Sequence, residues 1–577
     1  MNIKEFINQN VLQILNKLGY EASDALISKS NRPDLSDYQS NVAMALAKKY
    51  HKSPVEIAQQ ILSELSHQSY VSSGRVDGPG FINIRLSDAF LISNPAQEYP
   101  PSGRTVVIDY GGPNIAKEMH VGHLRTAIIG ESIKRIMRAK GDKVIGDVHF
   151  GDWGTPIGML IAQLKREQPT LPCFSQEIEP EVLRMSISEI SALYRRAAAN
   201  FKEDETFKEE ARVATFDLQK GKVGYIALWK MFKEVSVAAV KENYDKLGVS
   251  FDLWMGESDV NERLPVLVED LIQKGLLVPS EGALIVPLPE KNNRERAPLI
   301  VKKSDGAYTY AATDLVTIIQ RVQDFRARNI LYVVDARQRE HFEQVFEVAR
   351  LAHYVDDTVS LEYIPFGTVN GADGKPFKTR AGGVMNLKDL IQLAEDKARE
   401  NIPSEMEQAL AEKQVHQIAI GALKYQDLKN SRTSDYIFDT ENFTKSEGKT
   451  GAYIQYAIAR INSILEKSQV PEEEISKAQI QITHPLEREL MLNICREPEA
   501  LNEAYGHREP SVISDYVYSL AQNFSSFYAE LSINGEKEAS IRLSRLKMIH
   551  TIKEVLKANL ALLGIESPDK MISKNKA

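Results

Sequence analysis

The stretch Asp109-Tyr110-Gly111-Gly112-Pro113-Asn114-Ile115-Ala116-Lys117-Glu118-Met119-His120-Val121-Gly122-His123 decides how this chain is read. It continues TVVID, a short apolar run that reads as a strand, and its glycines and proline mark a turn. Behind it Val121, Leu124, Ile128, Ile133, Ile136 and Met137 share one helical face, so a long amphipathic helix opens at the two histidines and ends at Gly141. KVIGDVHFGDWG then supplies another strand and tight turn. Strand, helix, strand at this spacing is a βαβ unit of a parallel sheet.

The chemistry follows from that geometry. A helix N-terminus carries unsatisfied N–H groups and partial positive charge, which favour phosphate. His120 and His123 can add hydrogen bonds to a nucleotide's phosphate chain, and Gly122 leaves room against the helix. A zinc protease would want HExxH, and HVGH has neither that spacing nor the glutamate. The plain alternative is a pair of surface histidines.

Outward from this unit, a mostly helical block from about 165 to 260 reads as an insertion. The alternation resumes with ALIVPL (283–288), APLIVKK (297–303) and NILYVVD (329–335), giving a doubly wound α/β domain over about 101–440. Residues 1–100 form a small α+β unit. In it, Ile3, Phe6, Ile7, Val11, Leu12 and Ile14 line an opening helix, VAMALAKKY is a second helix, and Phe81–Ile84 alternates like a strand after the turn Gly78-Pro79-Gly80. Ser93–Gly103 reads as a linker. Residues 441–577 show helices only, as in a terminal bundle.

Composition narrows the class without choosing it. The 577 residues are 43% apolar and 26% charged, enough for several cores. A net charge of −8 argues against sequence-independent nucleic-acid binding but leaves room for local RNA recognition. No run of about 18 apolar residues occurs, and the N-terminus has no basic segment ahead of an apolar core, so a cytoplasmic protein is expected. Cys173 and Cys495 lie far apart outside any CxxC pair, which excludes a disulfide framework and a four-cysteine zinc site. Each is expected to be a small buried residue.

HVGH at such a turn is similar to the His-Ile-Gly-His motif of class I aminoacyl-tRNA synthetases. PNIAKEMHVGHLRTAIIG, HFGDWGTPIGML, DGAYTYAATD, YVVDARQREHFEQ, GKPFKTRAGGVMNL and GKTGAYIQYAIARI, in that order, resemble the arginine-specific family over nearly the whole chain. The resemblance implies a multidomain α/β protein: a Rossmann-like catalytic domain with a helical insertion, a small α+β N-terminal domain and an all-α C-terminal bundle. It also implies an enzyme that activates L-arginine with ATP to arginyl-adenylate, with tRNA already bound. Arginine then passes to the 3′ end of tRNA(Arg), releasing AMP and pyrophosphate. Mg²⁺ would accompany the ATP; no zinc, no protein-held metal, no DNA and no membrane are expected, and the resemblance points to a monomer.

Site residues carry over position by position. The resemblance places Asp109, Asn114, Tyr310, Asp314 and Gln338 in the amino-acid pocket. A guanidinium wants carboxylates and other acceptors. Asp109 ends the first strand, where open α/β sheets place ligands, and Asp314 falls four residues after Tyr310, on one helix face. Asp314 and Tyr310 would take the guanidinium, with Asp109, Asn114 and Gln338 holding the α-amino and carboxylate end. On their own merits Asp314 could equally be a helix N-cap and Tyr310 a core aromatic.

Gly374–Gly383 matches the family's second nucleotide loop, with Lys375, Lys378 and Arg380 supplying charge. Thr379 stands where that loop usually has its second lysine, and Lys117 would take over that role. The alternative is a basic surface loop. For tRNA, the resemblance assigns Tyr456, Arg460 and Tyr528 to the anticodon loop, and Tyr38, Gln39, Phe81 and Asn83 to the elbow. Rings and guanidinium planes stack on unpaired bases, although such tyrosines also pack between helices. Six residues, Ile572–Ala577, follow the usual family ending. Two other functions compete: a nucleotidyltransferase that acts without tRNA, and a non-catalytic RNA-binding relative.

Overall fold

The computed structural model describes residues 2–93, 99–175, 184–290, 296–371, 373–375, 377 and 385–571. Its central sheet grows from the predicted βαβ unit. β1 (Thr105–Asp109) leads through the turn into α1 (Gly122–Ala139) and β2 (Lys143–Asp147). After the helical insertion come α2 (Glu257–Val260), α3 (Tyr310–Gln323), β3 (Asn329–Asp335), α4 (Arg339–Leu351) and β4 (Ser360–Phe366). The strands run parallel in the order β4-β3-β1-β2, with Val107 beside Ile330 on one side and Ile145 on the other. From β1 the chain moves outward to β2, and from β3 outward to β4. β1 and β3 are therefore neighbours whose connections diverge, and the crevice beyond their C-terminal ends is the usual ligand position.

The insertion is helical as expected, with long helices at Ile187–Glu203, Glu205–Gln219 and Val223–Lys246. Two expected strands lie elsewhere. Ala283–Val286 and Leu299–Lys302 pair antiparallel with each other, and with Val278–Ser280 form a separate three-stranded sheet. They are adjacent in sequence and pair as a hairpin rather than joining the parallel sheet. The fourth parallel strand is SLEYIPF, whose first four residues are only half-buried and give no continuous apolar run.

The chain divides into two compact units: Pro100–Thr444 with Leu562–Ile565, and Met1–Tyr99 with Lys445–Ala561 and Glu566–Ala577. The second groups the first hundred residues with the C-terminal helices. Its opening helix, Ile3–Lys17, starts with a capping box between Asn2 and Glu5 and buries Ile3, Ile7, Val11, Ile14 and Leu15. These residues share a core with a four-stranded antiparallel sheet and with Met491, Leu492, Cys495 and Met548 from the C-terminal helices. Asp37 adds a largely buried ion pair to Arg488 at 2.7 Å. From residue 445 to 571 the described elements are all helical. Cys173 and Cys495 are both buried, and neither forms a disulfide. No described helix is long and apolar enough to cross a membrane.

Candidate active site

A cavity of about 680 Å³ lies at the C-terminal ends of β1 and β3. It brings together Asp109, Asn114, His120, Gly122, His123, Tyr310, Asp314 and Gln338, which the sequence spreads over 230 positions. Asn114 is fixed by a backbone bridge to Gly151 in the turn after β2.

One end is the start of α1. The His120 N–H donates to Nδ1 of His123 at 3.1 Å, and the Gly122 N–H donates to Nδ1 of His120 at 3.0 Å. Each imidazole accepts at Nδ1, so in the neutral form its proton sits on Nε2. Burial, with Lys117 nearby, lowers the His120 pKa, and burial together with the neighbouring His120 pushes that of His123 down to about 3. The pair therefore stays neutral at physiological pH and presents Nε2–H donors rather than charge. A Cβ at Gly122 would come within 2.7 Å of the His120 ring, so a larger residue there would displace the imidazole. The sequence reading gave that space to the nucleotide; the ring takes part of it.

The other end is acidic. Thr309 is the N-cap of α3, its Oγ1 accepting from the Ala312 N–H, so Asp314 lies in the second turn and is not a cap. Tyr310 is 59% exposed, which removes it from the core. Asp314 is 2.6 Å from Nε2 of His341. Gln338, exposed at the end of β3, is the N-cap residue of α4.

Glu257, absent from the sequence reading, also lines this end. It is held by the GDWG turn: buried Asp152 accepts from the Ser258 N–H at 2.9 Å and Oγ at 2.6 Å, and pairs with Lys233 at 2.6 Å. Burial, with the charge of Asp152 adding to it, raises the Glu257 carboxyl to about 8. Nothing in the local pattern FDLWMGESD marks Glu257; only the neighbouring motif around Asp152 could have pointed to it.

Behind the acidic end, Arg321 of α3 donates through Nη2 to Asp109 at 2.5 Å and to Asp147 at 2.8 Å. Burial raises the Asp109 pKa even with Arg321 against it. Asp147 is held down instead: burial opposes its ionisation, but His149 and Arg321 outweigh burial. Ligand atoms of Asp109, Asp147 and His149 lie within 4.8 Å of one another, a spacing that could hold a cation. The Arg321 guanidinium already neutralises those carboxylates, so the donor set does not suit a resident metal.

Lys117 does not reach this cavity. It lines a separate one of about 310 Å³ with Glu118 and Lys388, its Nζ 4.5 Å from the Tyr194 ring centroid. Lys375 is exposed, and Lys378 and Arg380 lie outside the described residues. Where the chain leaves that loop it is stitched to the histidine motif: Val121 N–H donates to the Met385 carbonyl at 3.0 Å and Leu387 N–H to that of Met119 at 2.9 Å.

In the other unit, Tyr456, Arg460 and Tyr528 line one cavity of about 960 Å³, with the Arg460 guanidinium 4.4 Å from the Tyr528 ring centroid. Tyr453 packs instead against the helix Ser511–Glu530, 3.0 Å from Oγ of Ser525. The elbow group divides. Tyr38 is wholly buried, its hydroxyl 2.5 Å from Glu499 and its ring beneath Arg496, so it cannot stack on a base. Asn83 is also buried and bonded to Asp77 and Ser36. The two-residue period of Tyr38–Ser40 turns Tyr38 inward and leaves Gln39 half-exposed; Phe81 is half-buried. The Ile572–Ala577 tail lies outside the described residues.

Comparison with known proteins matches these features. The family described as tRNA synthetases class I (R), catalytic domain, covers residues 86–440. The arginyl tRNA synthetase N terminal domain covers 2–86 and the DALR anticodon binding domain 454–571. The arginine–tRNA ligase of Alkaliphilus oremlandii is 42% identical over 98% of this chain and 99% of its own, and that of Agathobacter rectalis 40% identical over the same shares. The crystal structure of arginyl-tRNA synthetase from Plasmodium falciparum superposes with a TM-score of 0.81 at 26% identity, covering 99% of each chain. The Thermus thermophilus enzyme shares the fold with the same TM-score at 22% identity, over 99% of this chain and 100% of its own. On identity that extends from end to end and a catalytic match over more than half its length, the chain belongs to the arginyl-tRNA synthetases, class I enzymes that activate arginine with ATP and attach it to tRNA.

Proposed function

We propose that the cavity beyond β1 and β3 holds both substrates of arginine activation, ATP at the start of α1 and arginine at the carboxylates. The observation that carries this reading is the joining, in one cavity, of a neutral histidine pair at a helix N-terminus with Asp314 and Glu257, neither ion-paired to lysine or arginine among the described residues. The first attracts phosphate and the second a guanidinium.

In this reading the arginine carboxylate attacks the α-phosphorus in line and pyrophosphate leaves. The protein forms no covalent bond; it positions and stabilises charge. His120 and His123 donate Nε2–H to phosphate oxygens. Asp314, Tyr310 and Glu257 hold the guanidinium, and Asp109, Asn114 and Gln338 the α-amino and carboxylate end. Mg²⁺ travels with the ATP phosphates, largely hydrated. Lys117 leaves Tyr194 to add charge, together with Lys375, Lys378 and Arg380. The terminal hydroxyl of tRNA(Arg) then attacks the arginyl carbonyl and releases AMP. Tyr456, Arg460 and Tyr528 read the anticodon loop, and Gln39 and Phe81 touch the elbow. Activation needs bound tRNA. Catalytic and tRNA-reading residues lie on one polypeptide, so a monomer suffices.

The test is attachment of labelled amino acid to total tRNA with ATP and Mg²⁺, comparing arginine with lysine, alongside pyrophosphate exchange with and without tRNA. Arginine-only charging and tRNA-dependent exchange are expected. Exchange without any charging would favour the tRNA-independent nucleotidyltransferase, and neither activity in folded protein would favour the non-catalytic RNA binder.

A further inference from the structure

A guanidinium already lies buried behind the acidic end of the cavity. Arg321 lies on α3 seven residues beyond Asp314, two turns further along nearly the same face. It is 1% exposed, and its Nη2 bridges Asp109 at the end of β1 and Asp147 at the end of β2. Its Cζ sits 5.2 Å from the Tyr332 ring centroid. Nε and Nη1 of Arg321 and Oδ1 of Asp147 are buried without a hydrogen-bond partner among the described residues. Asp109 stays on the cavity wall, its side chain 16% exposed.

Arginine carries two cations, and this cavity carries carboxylates at two places. A guanidinium binds paired carboxylates through its planar fork, whereas an ammonium is a compact point charge. Without Arg321, Asp109 and Asp147 would form a second guanidinium trap, able to bind the substrate the wrong way round. We infer that Arg321 is a positioning residue that sets the orientation of arginine in the cavity. Through Nη2 it occupies one oxygen of each of Asp109 and Asp147, leaves that end fit only for the α-ammonium, and so directs the substrate guanidinium to Asp314 and Glu257. The inference rests on the arginine-activating reading of the cavity.

The experiment compares full-length wild type, Arg321→Ala and Arg321→Lys in arginine charging, with guanidinium chloride or ammonium chloride added at tens of millimolar. If wild type charges no arginine, the underlying reading falls and this inference with it. With wild type active, Arg321→Ala should lose about a hundredfold in kcat/KM for arginine while the ATP KM moves less than about threefold. High arginine should inhibit it, because a second molecule enters the vacated site. Added guanidinium should restore at least about tenfold, and ammonium should not. Arg321→Lys, which keeps the charge but not the fork, should show the arginine-selective loss without rescue, and decides the matter if the alanine variant does not fold. A folded variant with unchanged arginine kcat/KM, or one whose arginine and ATP parameters fall together without guanidinium rescue, would overturn the assignment.

Discussion

The two ends of the catalytic cavity treat charge in opposite ways. At the start of α1 the protein offers backbone dipoles and two imidazoles kept neutral by burial, so a polyanion meets hydrogen-bond donors that do not titrate near pH 7. At the far end it offers carboxylates, one of which, Glu257, is held protonated to about pH 8 until a cation arrives. In the proposed reading the cavity separates a phosphate chain from a guanidinium by placing neutral donors at one end and carboxylates at the other, while lysines and an arginine from outside it add positive charge to the phosphates.

That contrast can be broken most severely at the acidic end. Asp314→Ala should raise the arginine KM by several hundredfold while moving the ATP KM less than about threefold, because a charge-assisted contact to one substrate is lost. Equal shifts in steady-state kinetics would show that the ends are not separate. His123→Ala should lower kcat by about a hundredfold at saturating arginine, as removal of one preorganised donor does, with little change in arginine KM. Tyr456→Ala lies outside the cavity and should raise the tRNA KM by about tenfold, leaving both small-substrate KM values in place. An unaltered tRNA KM would discard its base-stacking role.

Two smaller effects sharpen the picture. The Glu257 carboxyl is raised, so it binds a cation poorly below about pH 8 and well above it. The arginine KM should therefore fall as pH rises from 6.5 toward about 8 and then level, and Glu257→Gln should flatten that part of the profile. The same sign holds for stability. A carboxyl whose folded value is raised destabilises the ligand-free protein increasingly as pH climbs from the ordinary carboxylate range to about 8, and no further above it. Denaturant titration of Glu257→Gln against wild type should show the variant gaining at high pH. Lys117→Ala should cost about fivefold in kcat, the smallest effect, because Lys117 rests on Tyr194 outside the cavity; unchanged kcat would remove it from the mechanism.

The sequence made the βαβ start legible because an apolar strand, a glycine turn and a helical stripe adjoin within some forty residues. Tyr310 and Asp314 were singled out by the family motif, since their spacing of four alone left a helix N-cap and a core aromatic equally open. What was hidden depends on distant partners. Arg321 reads as a surface residue of an amphipathic helix until β1 and β2 bring Asp109 and Asp147 to it. Glu257 reaches the cavity only because Asp152, a hundred residues earlier, grips Ser258. Tyr38 looks like a base-stacking ring until Glu499 and Arg496 enclose it. The strands at 283–286 and 299–302 carry apolar patterns that fit either pairing sense, so the pattern did not tell a separate hairpin from a place in the parallel sheet.

The unit built from both ends of the chain has a consequence for synthesis. Its core joins Ile3, Ile7 and Val11 to Met491, Leu492 and Met548, while Pro100–Thr444 belongs to the other unit. At a translation rate of about 5–20 residues per second, the opening segment waits roughly 17–70 seconds before Lys445 is made, longer than local helices and hairpins need to form. During that interval the apolar surface that Met491, Leu492, Cys495 and Met548 later cover lacks its partner. The catalytic unit can fold first, and the nascent N-terminus is where a chaperone would be needed.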